Sequence, residues 1–281
     1  MELLQPSSAE EAVAALGDGA VAIAGGADVV PLLYHRLLSP SALVDVRQAV
    51  PKGVRDGSIV GAGTVLAELE VDPLIPDALR EACRVSASPQ LRAMSTLAGN
   101  LLQATRCWYW RLEYPCFLHG GDRCHAREGE HREHAILGNE RCASAHPSDI
   151  AAALVALDAR LRTTRRELPV AELYRLPTED DRSTTTLAPD ELILEVELPP
   201  TEASVYLKAT DRKAWSFPLV GVAAARGAGG TRFGLAGVAP IPWPLGSGDE
   251  LDAATPLPGT AYKLQIARAL VRRADAALRA L

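Results

Sequence analysis

Between Thr105 and His146 the chain runs through roughly forty residues with little helical or strand periodicity, where connections inside compact domains are commonly about 4–6 residues long. Such an excursion needs something other than a hydrophobic core to organise it. Four of the five cysteines and four of the six histidines fall within it, in RCWYWRLEYPCFLHGGDRCHAREGEHREHAILGNERC. A metal centre held by Cys107, Cys116, Cys124 and Cys142 would cross-link four distant points and remove loop freedom that packing alone would struggle to offset. Their spacing, C-x8-C-x7-C-x17-C, is neither the C-x2-C pairing of common zinc sites nor the run of bacterial ferredoxins. On the residues alone three readings stand: tetrahedral zinc first, a cubane iron–sulfur cluster second, unligated thiols third. His119, His125, His131 and His134 offer alternative nitrogen ligands.

The N-terminal MELLQPSSAEEAVAAL is acidic where a secretory signal carries positive charge, and no uninterrupted apolar run approaches the ~18 residues of a membrane span. A cytoplasmic location with no membrane span is expected, and there clustered thiols serve metals or redox groups more often than disulfides. The formal net charge is −6, and no basic run interleaved with aromatics marks a phosphate-backbone track, which argues against nucleic acid as a partner. At 281 residues, 48% of them hydrophobic, the chain is long enough for two or three folded domains.

Periodicity divides the chain into three parts. Residues 1–52 read as a β-α-β unit: a helix near residues 10–16, a strand and Gly-Gly turn in AVAIAGGADVV, an apolar segment helical after Pro31, and a strand in SALVDV. Residues 53–173 open on a strand, a glycine turn and a helix capped by Thr64. In this part Leu79, Ala82, Cys83 and Val85 share a helical face, which makes Cys83 a small core hydrophobe rather than a ligand. The cysteine-rich loop 106–146 follows, then an Ala-rich helix in SDIAAALVALDA and a strand. The polar stretch LPTEDDRSTTTLAPDE reads as a linker, with the last boundary placed just before it. Residues 174–281 carry strands in ELILEVELP, SVYLKAT, LVGVAAAR and RFGLAGVAP and a closing amphipathic helix, an α+β domain.

Two glycine loops stand out, one in each of the first two parts. In AIAGGADVV a strand enters two glycines, a turn that can aim backbone N–H groups at an anion with a helix start just behind. It is not the Rossmann G-x-G-x-x-G, and a lone Gly-Gly turn is usually only a turn. In STLAGN small residues allow close backbone approach to a flat cofactor.

Taken in order, these segments resemble the FAD-binding (medium) subunit of the molybdenum hydroxylases, the xanthine dehydrogenase family. AGGAD is similar to the family's A-G-G-T-D pyrophosphate loop and STLAGNLL to its A-T-x-G-G-N flavin loop. SDIAAALVALDA, ELILEVELP, YLKATDRKAWSFPLVGVAAA, GLAGVAPIPWPL and AYKLQIARALVRRA carry the likeness over nearly the whole chain. The edges GNLLQATRC and RCASAHPSDIA resemble those of an extra four-cysteine insertion found in the aldehyde oxidoreductase and 4-hydroxybenzoyl-CoA reductase subgroup. That resemblance moves a [4Fe–4S] cluster on Cys107, Cys116, Cys124 and Cys142 ahead of zinc.

The resemblance implies a vanillyl-alcohol-oxidase-type fold, in which two α/β subdomains sandwich FAD and a C-terminal α+β domain, an antiparallel sheet with helices, closes over them. It places the FAD pyrophosphate on Ile23, Ala24, Gly25, Gly26, Ala27, Asp28 and Val29, with Thr96, Leu97, Ala98, Gly99 and Asn100 as the other wall. It assigns Asp149 to the flavin's sugar-alcohol portion and Ile193 and Lys208 to flavin contacts at the third domain's edge. Ala27 and Ala98 depart from the family's threonine and glycine, which removes up to one phosphate hydrogen bond, worth about 0.5–1.5 kcal/mol. The implied partners are a molybdenum-cofactor large subunit, a [2Fe–2S] small subunit and a soluble electron acceptor, with no catalytic residue for the organic substrate on this chain. The alternatives are a stand-alone flavin oxidoreductase and a zinc-stabilised module without redox chemistry. Trp108, Tyr109, Trp110, Tyr114 and Phe117 would line the metal centre or simply pack the loop.

Overall fold

A computed structural model describes every residue except Asp18. The first unit holds β1 (Glu2–Leu4), α1 (Ala9–Ala15), β2 (Val21–Ile23), α2 (Val29–Tyr34) and β3 (Ala42–Asp45). Its three strands are parallel in the order β1-β3-β2. Central β3 is buried at every position, as parallel strands covered on both faces are, and reads as an apolar run ending in Asp45. β1 is too short to announce itself by alternation, and only its pairing with β3 defines it. α1 starts where Ser8 Oγ accepts the Glu11 N–H.

The second unit holds β4 (Val54–Arg55), β5 (Ile59–Gly61), the short helices α3 (Leu66–Leu69), α4 (Asp77–Arg84), α5 (Pro89–Arg92), α6 (Leu97–Leu101) and α7 (Trp108–Arg111), then α8 (Asp149–Ala156), β6 (Arg160–Thr163), β7 (Glu167–Pro169) and β8 (Ile193–Glu197). Its strands form an antiparallel sheet ordered β4-β5-β8-β6-β7. The central strand β8 arrives from beyond the polar stretch 176–191, so this sheet extends past residue 174 to residue 197. Thr64 does not cap α3. Its hydroxyl is buried, accepts the Gly53 N–H at 2.8 Å and donates to Gly61 O at 2.7 Å, pinning β5's turn, while Val65 holds the cap position without a side-chain bond.

The third sheet, antiparallel in the order β12-β11-β10-β9, is built from β9 (Ala203–Ala209), β10 (Val220–Gly227), β11 (Gly230–Ala236) and β12 (Trp243–Leu245). Helix α9 (Ala261–Arg279) covers one face and α8 with α4 the other. This two-sided cover explains the unbroken apolar run of β10: Val220, Val222 and Ala224 pack with the α9 core, whereas Ala223 and Ala225 join the core of the second unit. All eight residues of α8 are buried, and its alanines allow close approach rather than merely favouring helix. A methyl group added at Gly234 of β11 would overlap the Ala152 carbonyl of α8. Mixed helices and antiparallel sheets make the chain α+β. Among the described residues no helix is long and apolar enough to cross a membrane.

Candidate functional site

A cleft of about 510 Å³ opens between the first and second units. One wall is formed by residues 24–29, the turn from β2 into α2, and the other by Ser95, Thr96, Ala98, Gly99 and Asn100 at the start of α6. The walls touch at Gly25, where a methyl group would overlap the Met94 carbonyl, so only glycine allows this approach. Gly26 adopts φ +70°, a left-handed conformation that the turn requires. No acceptor among the described residues takes the backbone N–H of Gly25, Gly26, Ala27 or Asp28. Four successive unclaimed donors beside a helix start form an anion cradle. Ile23 lies just behind, its carbonyl accepting the Val46 N–H at 2.9 Å.

The second wall is braced from inside the protein. Leu97 is fully buried and donates its N–H to Thr64 O at 2.9 Å, while Ala98 donates to Ala62 O at 3.0 Å. Ala98 therefore withholds nothing from a ligand, because its N–H is already committed. Thr96 Oγ caps α6 by accepting the Gly99 N–H at 3.2 Å, and Asn100 Oδ1 accepts from Ser148 Oγ at 2.5 Å, tying the wall to the start of α8. A third side, Thr185 to Ile193, closes the cleft and brings Ile193 into it. The sequence reading treated 176–191 as a linker and missed this wall. Its length, beyond that of ordinary connections, was the available signal.

Asp149 and Lys208 are not on the cleft. Lys208 Nζ meets Asp149 Oδ2 at 2.8 Å in an ion pair that leaves both side chains under a tenth exposed. Ser86 Oγ donates to the same oxygen at 2.9 Å, Tyr206 donates to Oδ1, and Lys208 also donates to Val85 O at 3.1 Å. Burial raises the Asp149 carboxyl above its ordinary pKa, against the opposing pull of Lys208 and the two hydroxyls. The pair bolts α8 to β9 behind the second wall.

Asp28 joins the cradle to the cysteine loop. Its carboxylate accepts the Ala104 N–H at 2.7 Å and pairs with Arg106 at 2.7 Å and Arg111 at 3.1 Å, at the entrance to the loop. Arg106 also lines a second cavity of about 270 Å³ between the loop and residues 211–219, where its guanidinium lies 5.1 Å from the Phe217 ring. Desolvation lowers the Arg106 pKa against the favourable field of Asp28. Neither role was visible in the sequence, where arginine was one of many.

The loop brings all four cysteines to one small cavity, with Tyr109, Trp110, Phe117, Leu118, His125 and Ser144 completing its lining. The cavity is small, about 10 Å³. Among the described residues no group of three or more His, Cys, Asp or Glu side chains stands arranged to hold a metal ion. Only Cys124 is shown shifted towards thiolate: the neighbouring Cys142 thiol and the Ala143 N–H at 3.4 Å lower its pKa to about 6. The same contact, with burial, pushes Cys142 up, and Cys142 lies 3.3 Å from Ser144 Oγ. Burial pushes Cys107 up to about 11, opposed by the N–H groups of Trp110 and Tyr109. Cys83 is fully buried in the main core, away from this group.

The histidines divide. His119 contacts Trp110 O at 2.9 Å and His131 spans Gly129 O and the Gly259 N–H, so both close loops. His125 lines the cavity, and His134 reaches the Cys107 sulfur at 3.2 Å.

The family model for the FAD binding domain in molybdopterin dehydrogenase matches residues 1–201, most of the chain. The chain belongs to this family. It is thus an FAD subunit of the molybdenum hydroxylases, an oxidoreductase class. Within the family it is 37% identical over 250 residues, 82% of this chain and 78% of the relative, to the aldehyde oxidoreductase FAD-binding subunit PaoB of Escherichia coli (strain K12). It is 35% identical over 107 residues, 34% of this chain and 37% of the relative, to the carbon monoxide dehydrogenase medium chain of Hydrogenophaga pseudoflava. Its fold superposes on a chain of the Cu,Mo-CO dehydrogenase in cyanide-inactivated form with a TM-score of 0.72 at 21% identity, covering 100% of this chain and 98% of the other. In this family member the two-walled cleft is the place whose chemistry suits FAD, since its unclaimed N–H groups match a pyrophosphate.

Proposed function

We propose that this chain holds FAD in the cleft and a [4Fe–4S] cluster on Cys107, Cys116, Cys124 and Cys142, and works as the electron-transfer subunit of a molybdenum-dependent hydroxylase. Its partners are a large subunit with the molybdenum cofactor and a small subunit with [2Fe–2S] centres, and a soluble acceptor takes the electrons in the cytoplasm. When bound, FAD accepts electrons singly and releases them in pairs, while iron–sulfur centres pass them one at a time.

The observation that carries the reading is Asp28, which sits in the anion cradle and at the same time fastens Ala104, Arg106 and Arg111 at the mouth of the cysteine cage. One carboxylate thus sets the distance between the two cofactor positions. The N–H groups of Gly25, Gly26, Ala27 and Asp28 would receive the pyrophosphate, with residues 96–100 as the opposite wall, tied to α8 by the Asn100–Ser148 bond. Ile193 reaches the same cleft from the third wall. Lys208 and Asp149 act behind it, positioning α8. At the cage, Tyr109, Trp110 and Phe117 exclude water, and the N–H of Ala143 favours thiolate on Cys124.

The test is anaerobic isolation of the native assembly through this chain, with flavin, iron and molybdenum analysis. We expect co-purifying large and small subunits, stoichiometric FAD and four irons on this chain beyond those of the small subunit. A lone, colourless chain with stoichiometric zinc would overturn the reading, as would a lone yellow chain with full turnover.

A further inference from the structure

We infer that His134 is a positioning residue that tunes the cysteine cage by donating an Nε2–H hydrogen bond to the Cys107 sulfur. The inference rests on the cluster reading above and adds to it a residue outside the four ligands. His134 Nε2 lies 3.2 Å from Cys107 Sγ. The side chain is 2% exposed, and its ring stands edge-on to Trp108 with centroids 4.8 Å apart, which fixes its orientation. A cysteine that binds iron is a thiolate and has no proton to give, so Nε2 must be the donor.

The other ring nitrogen supports that tautomer. Nδ1 is buried with no partner among the described residues. A proton on Nδ1 would leave a buried donor unpaired, whereas a proton on Nε2 is paired with sulfur and leaves only a lone pair bare. The backbone around the ring is held from three directions: the His134 N–H donates to His131 O at 2.9 Å, the neighbouring Glu133 carbonyl accepts from Lys263 Nζ at 2.7 Å, and Ala135 donates to Ala143 O at 2.8 Å. A side chain so placed, with one polar atom spent on a sulfur and the other spent on nothing, has no other polar contact to serve.

Reduction adds one negative charge to the cage and strengthens an N–H···S bond to it, so the donor favours the reduced form and raises the reduction potential. No bond breaks and the proton stays on Nε2; in the experiment the electron comes from dithionite. The test is an anaerobic redox titration of the purified assembly, following the cluster by its paramagnetic signal in the reduced state, for wild type, His134→Phe and His134→Gln, with iron content measured on each. His134→Phe keeps the ring contact with Trp108 and removes the donor; His134→Leu is the second donor-free variant should the Phe protein not load iron. We expect full iron in the variants and a potential shifted negative when the donor is gone, equivalent to a roughly three- to tenfold rise in the oxidised-to-reduced ratio at fixed poise. His134→Gln, whose amide can donate, should recover part of the shift. An unchanged potential at full iron overturns the inference, as do equal shifts in all variants or loss of iron from every one of them, which would make the role structural. Absence of iron from the wild type would instead sink the cluster reading itself.

Discussion

Gly25 is where the two walls of the cleft meet, and it has no room for a side chain because the Met94 carbonyl occupies that space. Gly25→Ala must push the walls apart, and overpacking of this kind costs about 1–3 kcal/mol. Most of that strain should fall on the cleft, since the main hydrophobic core lies behind it. We expect the variant to fold with wild-type circular dichroism but to bind FAD roughly tenfold more weakly or worse, measured by flavin fluorescence on titration into the stripped protein. Unchanged affinity would mean that the contact is not part of the flavin site. This residue was legible as a glycine loop but not as a contact, because its partner lies about seventy residues away in another unit. Asp149 and Lys208 show the reverse: the family resemblance assigned both to flavin contacts, and the fold pairs each with the other. A charge's position along the chain does not disclose which opposite charge the fold will bring to it.

At the level of elements, β9, β10 and β11 were plain as strands and α9 as a helix by its 3.6-residue period, since each packs against a neighbour close in sequence. The place of β8 was not. Its apolar pattern suits a strand in either antiparallel sheet, and only pairing with β5 and β6 settles that it is central in the second. Helix α9 carries a further feature hidden from pattern reading, a lysine on its buried face. Lys263 is fully buried and donates to Glu133 O and Gly237 O, clamping the helix to the cysteine loop and to the end of β11. Burial lowers its pKa to about 7, with Glu133 acting in the opposite sense. In the unfolded chain the ammonium titrates near its ordinary value of about 10.4. Between these values the unfolded state binds more protons, so this residue makes stability rise with pH through that window; its burial cost is fully present below pH about 7. His134, on the same loop, is held at about 4 by burial and does not titrate there. The unfolding free energy of wild type minus that of Lys263→Met, from urea melts, should therefore grow between pH 7 and 10. A flat difference would show that the ammonium keeps its proton in the fold.

Across the whole molecule the cysteine loop acts as a strap. It is tied to the first unit through Asp28, to the polar segment through Arg182, which donates to Phe117 O at 2.8 Å, and to the third sheet through Ile136 and Leu137, whose N–H groups both reach Val238 O. Such a long excursion has little core of its own, and the proposed cage at its centre would remove the freedom that its outer ties leave. The sequence showed this need in its missing periodicity and its four thiols, but the ties themselves run to distant backbone carbonyls, which leave no mark on composition. If the cage holds the strap, iron removal should loosen the units together rather than the loop alone. Chelation of iron after mild oxidation, or the Cys124→Ser variant, should lower Tm by roughly 5 °C or more, since about 1 kcal/mol moves a protein of this size by about 2–4 °C. Trypsin should then cut within the loop, where the side chains of Arg123 and Arg132 are each 61% exposed but the backbone is braced. The cleft should lose flavin in the same step, because Asp28 is anchored at the loop's mouth. An iron-free protein with wild-type Tm, intact to trypsin and still carrying flavin would show that packing alone orders the strap and that the two cofactor positions are mechanically independent.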